Sequence, residues 1–243
     1  MSKIRILNTE IDKLTQSDAL SRIGAMIEEQ TPHYIVTANA EIAYMAYHDE
    51  KMQQAVNGAD MVTADGSGIL WAAKQLGDAM PERVTGIDLV YAICKESAVK
   101  GWKIYLMGSA EGVAQKAAHR LMLDYVGCNI VGTHHGFLKE KAVEQALIED
   151  IKAKQPDVLL VGMGAPRQEY WIIDHMEELG VPVSMGIGGS MDVISGELKR
   201  APKWMQKMSL EWLYRLIKQP SRIGRMMNLP KFMLAVKRSK KQG

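Results

Sequence analysis

Residues 157–169, with the sequence Asp-Val-Leu-Leu-Val-Gly-Met-Gly-Ala-Pro-Arg-Gln-Glu, are the clearest indication of the fold. The first part is a nearly continuous apolar run, which is typical of a strand buried on both faces of a parallel sheet. From Gly162 onward, glycines and Pro166 are followed by polar residues, a pattern that predicts a tight loop and then the first turn of a helix. The segment therefore predicts a strand, a loop and a helix of an α/β protein.

The same alternation extends along the whole chain. Apolar or β-branched runs predict strands at residues 4–7, 34–37, 61–64, 103–107, 130–133, 158–163 and 183–187. Apolar residues at three- and four-residue spacing predict helices at residues 18–29, 40–48, 66–75, 86–99, 111–125, 140–153 and 168–179. We therefore predict an α/β fold with a mostly parallel, Rossmann-like sheet and helices on both of its faces.

Composition limits the class of protein. The chain has 243 residues, of which 47% are hydrophobic and 24% charged, and these values exclude a disordered, collagen-like or disulfide-stabilised chain. Two cysteines, Cys94 and Cys128, are too few for a disulfide framework or a cysteine-based zinc site. Residues 1–12 do not resemble a signal peptide, and no run of about 18 uncharged apolar residues occurs. We expect a cytoplasmic protein without a membrane-spanning helix.

Charge is strongly segregated along the chain. Residues 199–243 contain 13 basic side chains and one acidic side chain, Glu211, for a net charge of +12, whereas the rest of the chain carries −10. Such a basic segment predicts a phosphate-bearing partner. The acidic remainder disfavours nucleic acid.

Apolar residues recur at helical spacing within this basic segment and include Trp204 and Trp212. The pattern predicts amphipathic helices at an anionic membrane surface. It leaves open a helical pair that packs on the domain with a solvated basic face. We predict two parts, an α/β catalytic core at residues 1–196 and a C-terminal, basic, membrane-associating helical appendage at residues 197–243.

Polar residues and glycines follow the predicted strands, and in parallel sheets these loops meet at one edge, where ligands bind. Glycines permit close backbone approach, and the helix N-termini behind them offer N–H groups to phosphate, so we predict a phosphorylated or nucleotide ligand. Asp65 follows a strand and is interpreted either as a helix N-cap or as a general base. Thr37 and Asn39 either position a substrate or cap and turn the chain locally.

Several expected motifs are missing. The chain has neither the Gly-x-Gly-x-x-Gly nor the Gly-x-x-x-x-Gly-Lys-Ser/Thr pattern, so a standard dinucleotide or ATP enzyme is not supported. No Asp-x-Asp pair is present to anchor a divalent metal on a diphosphate. His134 and His135 are predicted to be structural, because adjacent side chains are expected to diverge. We predict no cofactor and no metal.

Seven ordered blocks resemble the WecG/TagA/CpsF glycosyltransferase family over about residues 4–237. The blocks are Thr37-Ala-Asn39-Ala-Glu41, Ala64-Asp65-Gly66, Arg83-Val-Thr-Gly86-Ile-Asp88, Gly108-Ser109, Gly162-Met-Gly164-Ala-Pro166-Arg167-Gln168-Glu169, Gly186-Ile-Gly188-Gly189-Ser190-Met-Asp192, and Arg200-Ala-Pro-Lys-Trp204 through Glu211-Trp212-Leu-Tyr-Arg215. Together they are far more specific than any single block.

The resemblance implies an inverting, metal-independent transfer of N-acetylmannosamine from UDP-ManNAc to the 4-hydroxyl of GlcNAc on undecaprenyl diphosphate, in the linkage unit of wall teichoic acid. It implies that Asp65 is the base, that Thr37, Asn39 and Gln168 line the substrate pocket, and that a tail closes the site. The tail arginines are Arg215, Arg222 and Arg225. Further substrate-binding residues predicted from the same blocks are Arg83, Gly108, Ser109, Arg167, Glu169 and Asp192.

The expected partners are a UDP-sugar donor, a polyprenyl-diphosphate-linked GlcNAc acceptor and, through the tail, the anionic inner face of the cell membrane. Homo-oligomerisation is left open. The alternatives are a related transferase that uses UDP-ManNAc uronic acid or a capsule sugar, and a non-catalytic nucleotide-binding module with a membrane anchor. A hydride-transferring oxidoreductase is a weaker third alternative, because the dinucleotide fingerprint is missing.

Overall fold

The computed structural model describes residues 2–202, 204–205, 208, 211–218, 224 and 227–240, without the side chains of Trp212 and Arg215. The elements are β1 (Lys3–Ile6), β2 (Thr9–Asp12), α1 (Gln16–Glu29), β3 (His33–Ala38), α2 (Ala40–His48), α3 (Glu50–Asn57), β4 (Met61–Ala64), α4 (Ser67–Gln75), α5 (Gly86–Lys100), β5 (Lys103–Gly108), α6 (Val113–Asp124), β6 (Asn129–His134), α7 (Lys141–Lys154), β7 (Val158–Gly162), α8 (Arg167–Leu179), β8 (Val183–Gly186), α9 (Ser190–Ile194), α10 (Glu211–Lys218) and α11 (Asn228–Ser239).

The main sheet has six strands in the order β4-β3-β8-β7-β5-β6. The pairs β3–β8, β8–β7, β7–β5 and β5–β6 are parallel, and all five residues of β7 are buried. A strand buried on both faces needs apolar side chains in both directions, which explains the continuous run from Val158 to Val161. The predicted mostly parallel α/β fold is confirmed.

The predicted first strand does not join this sheet. Strand β1 pairs antiparallel with β2 in a separate two-stranded sheet, with Ile6 opposite Thr9. Leu7 and Asn8 form the tight turn, and Leu7 has a left-handed φ of 55°. Sequence analysis missed this hairpin because leucine is unusual in a left-handed conformation and β2 has only four residues. Helices α3 and α9 were also not predicted.

The chain forms two compact units. Unit 1 comprises Met1–Thr15, Ala38–Thr85 and Lys199–Gly243, and unit 2 comprises Gln16–Thr37 and Gly86–Leu198. Fully buried large side chains in unit 1 are Ile6, Ile11, Leu14, Met52, Met61, Ile69 and Phe232. In unit 2 they include Ile23, Ile35, Leu89, Ile93 and Tyr105. The division into residues 1–196 and 197–243 stays a prediction.

Helix α11 belongs to unit 1, where it packs against α2 and α4. Its Phe232 and Val236 are fully buried, whereas Leu234 on the other side is exposed. For this helix, the packing agrees with the second interpretation of the basic segment, a helix docked on the domain with a solvated basic face. None of the helices in the described part of the chain has the length and apolar character needed to cross a membrane.

Candidate active site

The chain reverses direction across the sheet at β5 and β7, within unit 2. Helix α6 leads from β5 to β6, towards one edge of the sheet. Helix α8 leads from β7 to β8, in the direction of the other edge. Adjacent parallel strands whose connections leave in opposite directions form a topological switch point, and ligands of open α/β sheets bind outside the carboxyl ends of such strands. Gly108 is the last residue of β5, and the predicted residues Ser109, Arg167, Gln168 and Glu169 lie beyond the ends of these two strands.

The loops after β5 and β7 pack backbone against backbone. Gly108 has a φ of 141°, and a Cβ atom added to it would lie 2.4 Å from the Gly162 carbonyl oxygen, so only glycine fits. The Ser109 N–H donates to the same Gly162 oxygen at 2.9 Å, and the Ser109 carbonyl accepts from the Gly136 N–H at 2.9 Å. Three loops at the switch point are thus held together by main-chain contacts, which leaves little room for side chains among them.

Gln168 is a clamp between the loops that follow β7 and β8. Its side chain is 2% exposed, and its carbonyl oxygen accepts from the N–H groups of Gly164 at 3.1 Å and Gly188 at 3.0 Å. Its amide nitrogen donates to Glu169 at 2.8 Å. The structure thus places Gln168 beside the switch point and shows its amide group engaged with Gly164, Gly188 and Glu169, so that it holds the loops after β7 and β8 together.

Thr37 and Tyr34 on strand β3 complete this buried polar group. The Thr37 hydroxyl donates to the Gly186 carbonyl at 2.9 Å and so ties the end of β3 to the end of β8. Burial and, secondarily, the Glu169 carboxylate raise the pKa of Tyr34 well above its ordinary value, so the phenol is neutral. Tyr34 was missed by sequence analysis, because it lies inside an apolar run and nothing local distinguishes it from a core aromatic residue.

The remaining predicted residues of unit 2 are more exposed. Arg167 is exposed and donates from its guanidinium to the Gly136 carbonyl at 3.3 Å. Asp192 is half-buried in the first turn of α9, where its main-chain carbonyl accepts from the Leu198 N–H at 2.8 Å. Arg167 is therefore available at the surface of the switch point, on the first residue of α8.

In unit 1, Asn39 and Asp65 lie next to each other at two helix starts. Asn39 is the N-cap of α2, and its side-chain oxygen accepts from the N–H groups of Glu41 at 2.9 Å and Ile42 at 3.1 Å, which confirms its capping role. The N-cap of α4 is Gly66, which directly follows Asp65. The Asp65 N–H donates to the Ala38 carbonyl at 2.7 Å, and a Cβ atom on Gly66 would lie 3.6 Å from the Asn39 Cβ.

Glu211, the one acidic residue of the basic segment, bridges two arginines in unit 1. Its carboxylate lies 3.2 Å from the Arg83 guanidinium and 3.4 Å from Arg200 Nε, with all three side chains largely buried. Sequence analysis named Arg83 but not this ion pair, although a lone acid among 13 bases was a signal. Arg215 lies in α10 with its side chain outside the described atoms, and Arg222 and Arg225 lie outside the described residues.

Across the described ranges, no three His, Cys, Asp or Glu side chains are grouped closely enough to hold a metal ion. His134 Nδ1 donates to the His135 carbonyl at 2.7 Å, and the two imidazole centroids are 4.3 Å apart. The expectation that these adjacent side chains diverge is wrong, because β6 ends at His134 and strand alternation does not continue to His135.

Comparison with known proteins agrees with this architecture. Residues 4–243 match the model of the glycosyl transferase WecG/TagA/CpsF family. The chain is similar to the proteins named N-acetylglucosaminyldiphosphoundecaprenol N-acetyl-beta-D-mannosaminyltransferase in Staphylococcus aureus strains MW2, NCTC 8325 and COL. Each is 32% identical, and the match covers 99% of this chain and 94% of the relative. The chain is a glycosyltransferase that belongs to the WecG/TagA/CpsF family.

Proposed function

We propose that the enzyme transfers N-acetylmannosamine from UDP-ManNAc to the 4-hydroxyl of GlcNAc on undecaprenyl diphosphate, with inversion and without a metal ion. The name of the relatives supports N-acetylmannosamine as the sugar and GlcNAc-diphosphoundecaprenol as the acceptor. The observation that carries the proposal is the switch point between β5 and β7. Glycines leave the backbone there without side chains, and α8 begins with Arg167. This arrangement suits a sugar nucleotide, whose diphosphate needs N–H and guanidinium donors.

The donor loops lie in unit 2. We assign Gly108, Ser109 and Arg167 to the nucleotide sugar, because the Arg167 guanidinium suits the charge that develops on the leaving UDP and the compact backbone at Gly108 and Ser109 permits close approach of the ligand. Gln168 and Glu169 hold the loops after β7 and β8, and Thr37 ties the end of β3 to the end of β8, through the hydrogen bonds described above. Asp192 stays a predicted substrate contact.

The acceptor chemistry is assigned to unit 1. Asp65 takes the proton of the GlcNAc hydroxyl while that oxygen forms a bond to the anomeric carbon and the bond to UDP breaks. A single displacement of this kind inverts the anomeric configuration. Asn39 orients the acceptor with its amide nitrogen, and Arg83, Arg215, Arg222 and Arg225 are assigned to diphosphate groups, for which bidentate arginine pairing is well suited.

A donor screen tests the proposal. UDP release is measured with a synthetic GlcNAc-diphospho-lipid and, in turn, UDP-ManNAc, UDP-ManNAc uronic acid, UDP-GlcNAc and UDP-glucose. We expect the highest kcat/KM with UDP-ManNAc and a product whose new linkage is β by NMR. A preference for another donor would identify a related transferase. If the acceptor stimulated UDP release from none of the four donors, a non-catalytic binding module would be favoured.

We expect activity to survive removal of divalent metal ions. Arginines and main-chain donors then stabilise the leaving group, because no Asp-x-Asp pair is present to bind a metal–diphosphate complex. Initial rates are compared in EDTA, in EDTA with excess Mg²⁺, and in buffer alone, and should agree within about twofold. Inactivation by EDTA that Mg²⁺ or Mn²⁺ reverses would show that the mechanism is metal-dependent.

We propose peripheral attachment to anionic membrane through the basic segment, which exposes Trp204, Met208 and Ile217. Such side chains insert at the headgroup level, and each nearby Lys or Arg contributes about 1 kcal/mol at an anionic surface.

Ile217→Glu should weaken binding to phosphatidylglycerol vesicles at least about fivefold, or ~1 kcal/mol. Leu123→Glu is the matched control, because Leu123 is 61% exposed and Ile217 65%. Equal binding by both variants would exclude α10 from the membrane contact.

A further inference from the structure

We propose that helix α11 is a positioning element for catalysis, and that Leu229 holds the starts of α2 and α4 in the geometry that places Asn39 and Asp65. The inference rests on the proposed function, because it takes Asp65 as the base. It differs from a membrane role for the same segment, since the side chains that carry it face the protein.

The first observation is the buried face of α11. Leu229, Phe232, Met233 and Val236 follow the three- and four-residue spacing of one helix face. Phe232 and Val236 are fully buried, Leu229 and Met233 are half-buried, and this helix packs against α2 and α4. The basic residues Lys231, Lys237 and Arg238 are exposed. The helix is thus fixed to unit 1 by its apolar face.

The second observation is which helices α11 contacts. Helix α2 starts at the Asn39 cap, and α4 starts directly after Asp65 and Gly66. The main-chain bond from the Asp65 N–H to the Ala38 carbonyl, 2.7 Å long, links these two starts. A shift of either helix along its axis therefore moves an assigned site residue.

The third observation is a single contact point that joins all three helices. A Cβ atom added to Gly68 would lie 2.8 Å from the Ala40 Cβ and 3.3 Å from Leu229 Cδ1. The first turns of α2 and α4 therefore touch at Gly68, where only glycine allows this approach, and Leu229 packs against the same point. Truncating Leu229 leaves a cavity at this contact, into which the two helix starts can relax.

Two residues of α11 distinguish a role in positioning from a role in the stability of unit 1. Phe232 is fully buried in the centre of the helix, so Phe232→Ala removes core packing and is expected to lower the melting temperature strongly. Leu229 is half-buried at the end of α11 that contacts Gly68, so Leu229→Ala removes less buried surface. We therefore expect Leu229→Ala to affect turnover more than stability.

The experiment measures kcat, KM for UDP-ManNAc and melting temperature of the full-length chain with a short-chain, water-soluble GlcNAc-diphospho-lipid. Leu229→Ala should lower kcat about tenfold or more, since small misplacements of reacting groups have large rate effects. The donor KM should stay within about twofold, because the donor loops belong to unit 2. Leu229→Met should restore most of kcat, because methionine fills irregular gaps of similar volume.

Leu234→Ala is the matched control, since Leu234 is on the same helix and 56% exposed. Gly68→Ala should lower kcat as Leu229→Ala does, although it leaves the sequence of α11 unchanged. Unchanged kcat in Leu229→Ala, or a loss that follows the unfolded fraction, would overturn the inference. Asp65→Asn is measured in parallel: full turnover there refutes the assigned base, whereas inactive Asp65→Asn with fully active Leu229→Ala refutes only the role of α11.

Discussion

Asp65→Asn is expected to lower kcat by about 10²- to 10⁴-fold, the usual effect of losing a general base. The amide has the same shape as the carboxylate but does not accept the acceptor proton. The fold should be preserved, because asparagine keeps the size and hydrogen-bonding oxygen of aspartate and the Asp65 contact to Ala38 uses the main-chain N–H. The measurement is kcat with the lipid acceptor, together with the melting temperature and the affinity for UDP.

Asp49→Asn is the matched control for this variant. Asp49 is a second aspartate of unit 1 and caps α3 by accepting from the Met52 N–H at 3.2 Å, a role that asparagine fills equally well. Asp49→Asn should therefore retain turnover. If Asp65→Asn also turned over at the rate of the unmodified enzyme, another group would have to take the acceptor proton.

Gln168→Leu is expected to impair both stability and turnover. Leucine is similar in size but leaves the N–H groups of Gly164 and Gly188 without their acceptor, and it removes one donor from Glu169. Each buried polar group that loses its partner costs about 1–3 kcal/mol, so the free energy of unfolding should fall by roughly 3 kcal/mol or more. Released loops after β7 and β8 should reduce turnover about 10²-fold.

Gln145→Leu serves as the control for the glutamine substitution. Gln145 is exposed on α7 and bonds only weakly to Glu149, at 3.4 Å, so its replacement should change neither quantity. Chemical denaturation and kcat are measured for both variants. Normal stability together with lost turnover in Gln168→Leu would contradict the clamp and indicate direct contact with the substrate.

The strands of the main sheet could be predicted because each contains a short run of apolar or β-branched residues. The helix from Ala40 to His48 was predicted with its observed bounds, since Asn39 is a strong N-cap signal. The hairpin of β1 and β2 was not predictable, because Leu7 takes its left-handed φ only in the context of the folded chain.

The sequence predicts that polar residues follow the strands, but it does not predict what those residues do. Gln168 comes shortly after β7 and Asp65 directly after β4, and their roles in a substrate site stay predictions. That the Gln168 carbonyl oxygen links two loops depends on Gly188, which lies 20 positions away on another loop. The role of Glu211 also needs tertiary structure, because its partners are Arg83 and Arg200.

The order of segments in unit 1 has a consequence for biosynthesis. Its core is assembled from residues 1–15, 38–85 and 199–243, and fully buried Phe232 is in α11. Unit 2, by contrast, is complete in the nascent chain at Leu198. Since domains fold as the chain emerges, unit 2 can form first, and unit 1 with Asp65 forms only after α11 has been synthesised. A nascent chain without α11 therefore lacks buried Phe232 in the unit that contains Asp65.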